Sequence, residues 1–547
     1  MNVPPNGRLT WTEGMALAAV LVLSLALRLQ HLDTLLPWFT YEDEVRTTSV
    51  SLQLLRNWTI DPHHSFYPAL PFYLNAITYW LWAAPGLAGP ILRHGPSAVS
   101  PFFASFSDTD PVIIMLSRWV SLGFGIGALF FSHLFFRQYL QWRWALFATL
   151  LLGLNTVAIA MADVAKTDSL YLFWFAAGYY FVVKYYYRGG YSWLIAASAV
   201  AGFSTVIKNN YEIVVSILFF SLVRNLRGLS RVRDLARNRE LWIMLLVIPL
   251  CALIGSPYSF IRFRDTLVTA GWLYTQAEII STYHTDPHVW WLDRYSYLAS
   301  VVLPFLLGLP VFWLAVPGAA HSLRKWSATD LFASGNLIMF VYIFGSGSGG
   351  KGGGAFPYYL FLIMAPLALL VVVELAADLV VTASRRRRAL GYAIVAIVLA
   401  GSLLRITAYH DMFFAPYDRL GPWLRGQLPA GSRTLMISVY KPGPALAGLD
   451  IKSVWPHEFN EELIRQYDPD FIVIDSWAVA GFRKVYRDLP VAPLVDQFLN
   501  GRRGYDTIFN EPAEYFGRGY YAALDPEHDV SLTVLRRARL PGRGNGK

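Results

Sequence analysis

Three consecutive acids, Glu42, Asp43 and Glu44, stand in the stretch LPWFTYEDEVRTTSVSLQLLRNWTIDPHHSFYPALPFY, directly after an apolar run long enough to lie in a membrane. Acids are poor neighbours for lipid, so a cluster just past a bilayer face either caps a helix or does chemistry. Capping suits the helix suggested by EVRTTSVSLQLLRNW, because carboxylates favour a helix N-terminus. Chemistry would make one acid a base that takes the proton from an acceptor hydroxyl. Asp168, in the loop MADVAKTDSL with Asp163 and Lys166, poses the same choice, since it opens a later apolar segment. Lys208, Arg262, Arg264 and Lys351 lie at the ends of apolar runs or between them. There they could hold a phosphate, snorkel to the interface or bind lipid headgroups.

Other chemistries are excluded or left without support. The single cysteine, Cys251, sits inside an apolar run, which excludes disulfides and a cysteine-built metal site. His63, His64 and His284 show no recognisable ligand spacing, so no obligatory transition metal is expected. The glycine run around Lys351 lacks the strand before it and the Ser/Thr after the lysine, so it reads as a lid and not a P-loop.

The elements that must carry these residues are membrane helices. The chain has 547 residues, 55% of them hydrophobic and only 15% charged, with a mean hydropathy of +0.38. That composition is of an α-helical polytopic membrane protein. The net charge of +9 is no nucleic-acid signal, because most basic residues fall in short loops between apolar runs. Runs long enough to cross the roughly 30 Å hydrocarbon core give about eleven transmembrane helices: 12–30, 111–135, 144–162, 169–187, 191–207, 211–223, 241–256, 295–318, 329–345, 356–380 and 389–408. The first reads as an uncleaved span. The segment 67–86 could cross or lie along the interface, and charge decides between the two. If it does not cross and the N-terminus is cytoplasmic, Arg137, Arg143, Arg188, the arginines of 224–239, Arg324, Lys325 and Arg385 to Arg388 all fall inside. Residues 31–110, with juxtamembrane helices, and 257–294 are then extracytoplasmic loops of a transmembrane module covering 1–408. The tail, 409–547, reads as a small soluble extracytoplasmic α/β domain, with buried strands at TLMISVY and FIVIDSW.

In order, spacing and sidedness the motifs YEDEV, FYPALPFYL, LSRWVSL, AKTDSLYLFW, TVIKNNY, SPY and FPYYLFLIMAPLALL resemble the C-type membrane glycosyltransferases. The likeness is to the protein O-mannosyltransferase-like and aminoarabinose-transferase-like group. It departs from them in having Pro68-Ala69-Leu70-Pro71 where relatives carry two consecutive prolines, and Phe356-Pro357 where an arginine often precedes Tyr358. The resemblance implies an inverting transferase that moves a sugar from a polyprenyl-phosphate donor to an acceptor hydroxyl, on a protein, glycan or glycolipid, at the extracytoplasmic face of the cell membrane. It picks Asp43 as base, with Glu44 and Asp168 beside it in the catalytic set. It implies donor-phosphate contacts from Lys208, Arg262, Arg264, Lys351 and Arg118, and substrate contacts from Tyr67, His284 and Tyr358. No cofactor is obligatory, and a divalent cation at Asp43 and Asp168 stays open. The chemistry agrees, because a lipid phosphate leaves without protonation and such a transferase needs one base and some cations. The alternative is a transporter or flippase for a lipid-linked sugar, which broken, polar spans would favour.

Overall fold

The computed structural model describes residues 9–33, 36, 38–63, 68–165, 167–208, 214–216, 218–219, 224, 238–262, 264, 268, 303–325, 336–337, 362, 364–381, 384–407, 415–429, 431–438, 440–454, 458–475, 494–495, 497–498, 504–512 and 531–538. Helix α1, Trp11–Leu29, starts where Thr10 Oγ1 accepts from the Glu13 N–H at 3.2 Å. Strand β1, Phe39–Tyr41, runs straight into α2, Glu42–Arg56. Helices α3, Leu70–His94, and α4, Val99–Ala104, follow. Helix α5, Pro111–Phe136, is set by Asp110 as cap and proline in the first turn. Helices α1 and α5 are each long and apolar enough to cross a membrane, as are α14, Met364–Val381, and α15, Arg385–Thr407. The chain is an integral membrane protein.

The expected span 144–162 is broken. Helices α6, Trp142–Gly153, and α7, Thr156–Asp163, meet at a 59° bend. Asn155 causes it: its side chain accepts from the Ala158 N–H at 3.0 Å, capping a new helix inside an apolar run. Its Nδ2 donates to the Leu306 carbonyl at 2.7 Å, which closes the break against a neighbour.

Helix α8, Asp168–Arg188, runs back from that end, and α9, Tyr191–Lys208, returns to it. Helix α10, Arg239–Gly255, lies parallel to α9, not antiparallel. A Cβ added at Gly202 would sit 2.4 Å from the Ile248 carbonyl oxygen, and one at Gly255 would sit 2.6 Å from Val206 Cγ2, so both helices advance together. Parallel neighbours need a return crossing between them. Arg224 supplies one point on it, since its guanidinium donates at 2.7 Å to the Tyr186 carbonyl, at the far end of α8. Helix α11, Pro257–Ile261, follows α10. Helix α12, Leu303–Leu307, precedes α13, Leu309–Lys325, which is likewise parallel to α14: Val311 shares a small cavity with Ala365 and Leu369, and Lys325 pairs with Glu374 and Asp378.

Helix α3 has both ends at one end of the bundle. Leu70 lies against Gly255, at the end of α10. Tyr79 Oη and Ser117 Oγ, near the start of α5, are hydrogen-bonded. Phe72, Ala76, Tyr79, Ala83 and Leu87 form one core with Val50, Leu54, Val99, Phe103 and Ile113. Their three- and four-residue spacing is the buried stripe of a helix lying across the bundle end.

Beyond α15, α16, Ala415–Gln427, leads into a five-stranded sheet. Its strands are β2, Arg433–Ile437; β4, Asp450–Val454; β5, Phe471–Asp475; β6, Tyr505–Pro512; and β7, Ser531–Arg537, in the order β4-β2-β5-β7-β6. Strands β4, β2 and β5 are parallel, while β7 is antiparallel to β5 and β6. Helix α17, Glu461–Tyr467, lies between β4 and β5 in sequence. Leu435, Ile437, Ile472, Ile474, Phe498 and Leu535 make a core on one face, each side chain contributing about 1.5–3 kcal/mol by leaving water. Strand β3, Tyr440–Pro442, leaves this sheet and pairs with β1.

Candidate active site

Four segments converge on Glu44. Its side chain is fully buried in the second position after the start of α2. Arg118, on the second turn of α5, donates Nε to Glu44 Oε1 at 2.8 Å and Nη2 to Oε2 at 2.9 Å. This is the two-pronged geometry that suits a guanidinium and a carboxylate. Arg118 Nη1 donates to the Leu32 carbonyl, just past α1, at 2.7 Å. The Ala165 N–H, between α7 and α8, donates to Glu44 Oε1 at 2.8 Å. The exit of α1, the start of α2, α5 and the loop 163–168 are thereby joined through one carboxylate. Asp163 and Asp168, 1% exposed each, flank that loop. Asp168 stands in the first turn of α8, after Thr167.

This arrangement bears on two expected roles. Glu44 has both oxygens engaged by a buried guanidinium, so its carboxylate ties α2 to α5. Arg118 is 1% exposed and turned to Glu44, so it does not stand free for a donor phosphate. A fully buried arginine is stable only when its charge is matched, and the match here is an acid from the cluster.

Asp43 directly precedes Glu44 on α2, and Lys208 ends α9 at the same end of the bundle. Arg262, just after α11, is a partly exposed cation there. Its Nη2 donates to Asp61 Oδ2 and lies 3.1 Å from His63 Nδ1. Asp61 Oδ1 accepts from the His63 N–H at 2.9 Å, and His63 is held at φ 46°. Tyr73, pushed up to about 12 by burial and by Tyr258 and Asp61, stays protonated and donates to the Ile60 carbonyl at 2.7 Å. Ser256 of the SPY motif accepts from the Ala69 N–H at 3.0 Å, tying α10 to the proline-rich segment. Arg264 is exposed. Tyr67, Lys166, His284, Lys351 and Tyr358 lie outside the described residues. Among the described residues no three His, Cys, Asp or Glu side chains gather as a metal site. Asp61 was missed by sequence reasoning; the only local signal was its proximity to Pro62.

The opposite end of the bundle is built differently. Glu13, buried at the start of α1, accepts from Arg137 and is 3.0 Å from His133 Nε2. Arg137, Arg188, Arg239, Lys325 and Arg385 to Arg388 all belong to that end. The C-terminal sheet carries a cleft of about 520 Å³ lined by Glu461, Asp468, Phe498, Tyr505 and Arg537. It opens at the amino ends of the parallel strands, away from β3. There Asp468, at φ 47°, bridges Arg537 and Arg433 Nη2, the latter at 2.8 Å.

No protein-family model matches the chain, and no curated protein does. Solved structures do. An Archaeoglobus fulgidus oligosaccharyltransferase tethered to an acceptor peptide is 12% identical over 87% of this chain and 72% of that one, with a TM-score of 0.47. ArnT from Cupriavidus metallidurans in the apo state is 13% identical over 96% of this chain and 98% of that one, with a TM-score of 0.46. The S. cerevisiae protein O-mannosyltransferase complex bound to its sugar donor is 19% identical over 48% of this chain and 35% of that one, with a TM-score of 0.36.

Proposed function

We propose that this chain is a membrane glycosyltransferase of the C type, moving a sugar from a polyprenyl-phosphate donor to an acceptor hydroxyl at the extracytoplasmic face. The observation that carries the reading is the division of labour in the acid cluster. Glu44 is consumed in anchoring α2 to Arg118 and Ala165, which fixes the backbone of its neighbour Asp43 at the same bundle end as the partly exposed Arg262. Asp43 is the general base. It takes the acceptor's hydroxyl proton as the oxygen attacks the anomeric carbon from the face opposite the phosphate. The bond from carbon to phosphate oxygen breaks, its electron pair leaves with the lipid phosphate, and the configuration inverts. Arg262, with Lys208, Arg264 and Lys351, is the source of positive charge for the departing phosphate. Asp168 lines the same loop as the Glu44 contact and orders the acceptor side. The basic residues at the opposite end support a cytoplasmic assignment for that end.

The break at Asn155 is what a transporter reading would use, since split helices there hold ions. Both of its functions are already taken, by the Ala158 N–H and the Leu306 carbonyl. The test is incubation of the purified chain with radiolabelled polyprenyl-phosphate sugars. Consumption is expected, and Asp43→Asn should slow it by about 10² to 10⁴ while donor binding persists, because the amide is nearly isosteric with the carboxylate. Transfer at the normal rate in that variant would return Asp43 to a capping role.

A further inference from the structure

We infer that the soluble C-terminal domain is a working part of this site, with Lys441 and Gly421 as positioning residues for the acid cluster. The inference rests on the proposed transferase reading only for its activity readout. The strand directly before Glu42 is not held by its own neighbours in sequence. Strand β1 pairs antiparallel with β3 of the distant soluble domain, Phe39 opposite Pro442, Thr40 opposite Lys441 and Tyr41 opposite Tyr440.

The ladder continues one step further, where the Gly443 N–H donates to the Trp38 carbonyl at 2.6 Å. Antiparallel pairs alternate between hydrogen-bonded and non-hydrogen-bonded. The bond from Gly443 therefore makes Thr40–Lys441 the next hydrogen-bonded pair. It leaves Pro442, which has no N–H, at a position whose N–H would point away from β1. Sequence and register agree, so the ribbon is specified and not incidental.

A second contact clamps the same point. Gly421, buried in α16, has the Trp38 ring directly against it: a Cβ added there would meet Trp38 Cγ at 2.5 Å and Cδ2 at 2.8 Å. Leu420 and Leu424 of α16 are buried in the same core as the bundle helices, and Trp38 packs against it. Trp38, β1 and the start of α2 are consecutive, so a shift of the soluble domain reaches Asp43 through three residues of paired strand. From the other side Glu44 is fixed by Arg118. Asp43 thus stands between a buried ion pair and a strand ribbon. Misplacement by about 1 Å in such a base costs on the order of 10²-fold in rate.

Three variants of the full chain and one exchange measurement test this. Lys441→Pro removes the central ladder N–H. It should lower kcat about 10- to 100-fold with the donor Kd unchanged, and should speed amide exchange across 39–46. Gly421→Ala should act in the same direction by pushing Trp38. Phe39→Cys with Pro442→Cys joins a non-hydrogen-bonded pair, whose Cα separation of roughly 4.5 Å suits a disulfide. The native cysteine, Cys251, is buried elsewhere. Because the ribbon is a fixture and not a gate, the oxidised protein should transfer sugar as fast as its reduced form. Unchanged exchange across 39–46 in both Lys441→Pro and Gly421→Ala, or loss of transfer on oxidation, would overturn the inference. A wild-type chain that consumes no donor sinks the transferase reading instead, and the exchange measurement still decides the ribbon.

Discussion

Arg118→Met is the perturbation that most directly separates anchoring from phosphate binding. It strips from the buried Glu44 carboxylate the two guanidinium bonds of 2.8 and 2.9 Å, and from the Leu32 carbonyl a third of 2.7 Å. Methionine fills most of the vacated volume, so little of the loss is a cavity. Breaking a buried ion pair from one side costs about 3–5 kcal/mol, because the remaining charge stays buried without its match. At about 1.4 kcal/mol per factor of ten, that is two to three and a half orders of magnitude in the folding equilibrium. Against a typical total of about 5–15 kcal/mol it is a severe loss.

The double variant Glu44→Gln, Arg118→Met removes both charges. The glutamine oxygen can still accept the Ala165 N–H, so much of the stability should return. The cycle's coupling energy should reach about 2 kcal/mol or more. Thermal unfolding of the purified protein in detergent, run on all four proteins, reads this. A phosphate ligand would behave otherwise. Arg118→Met would then be as stable as wild type and selectively poor at holding donor, and the second substitution would recover nothing. That pattern would refute the assignment of Glu44 and Arg118 as an anchor.

Gly202→Ala should destabilise the α9–α10 contact by about 1–3 kcal/mol from overpacking, outweighing the roughly 1 kcal/mol that alanine gains over glycine in a helix; a thermal midpoint at or above wild type would show that the two helices move apart freely. Acid should loosen the C-terminal sheet. Arg537 and Arg433 hold the Asp468 carboxyl below its ordinary 3.8, so the stability it brings is present above about pH 4 and is lost as the pH falls through the lowered value. Asp468→Asn, which tolerates the same left-handed backbone, should flatten that acid limb in a pH series of unfolding by circular dichroism. A reporter active only in the cytoplasm, fused after Gly546, should stay silent, and a bright signal would reverse the orientation drawn from the basic end of the bundle.

The residue types showed where chemistry could lie, but not which acid would do it. Glu42, Asp43 and Glu44 look alike in sequence, and what distinguishes Glu44 is Arg118, 74 residues away. A charged residue inside an apolar span was visible as an anomaly; that its partner would be the cluster itself required the packing of α2 on α5. The break at Asn155 had a local signal, an asparagine followed by threonine inside an apolar run, which is a helix start as much as a span interior. In the tail, β2 and β5 were legible because both are buried on two faces and read as continuous apolar runs. Strand β4, DIKSV, sits at the sheet edge with alternating exposure and gave no such run. The ribbon of β1 and β3 was the least legible element. Three residues each are too few to show a period, and their register is set from outside, by Glu44 on Arg118 at one end and Trp38 on Gly421 at the other. Local pattern reports what one segment prefers. The backbone before Asp43 is paired with a segment about 400 residues away, Phe39 opposite Pro442, and for that reason variants in the tail, far from the acids in sequence, are the ones that test how the acid cluster is held.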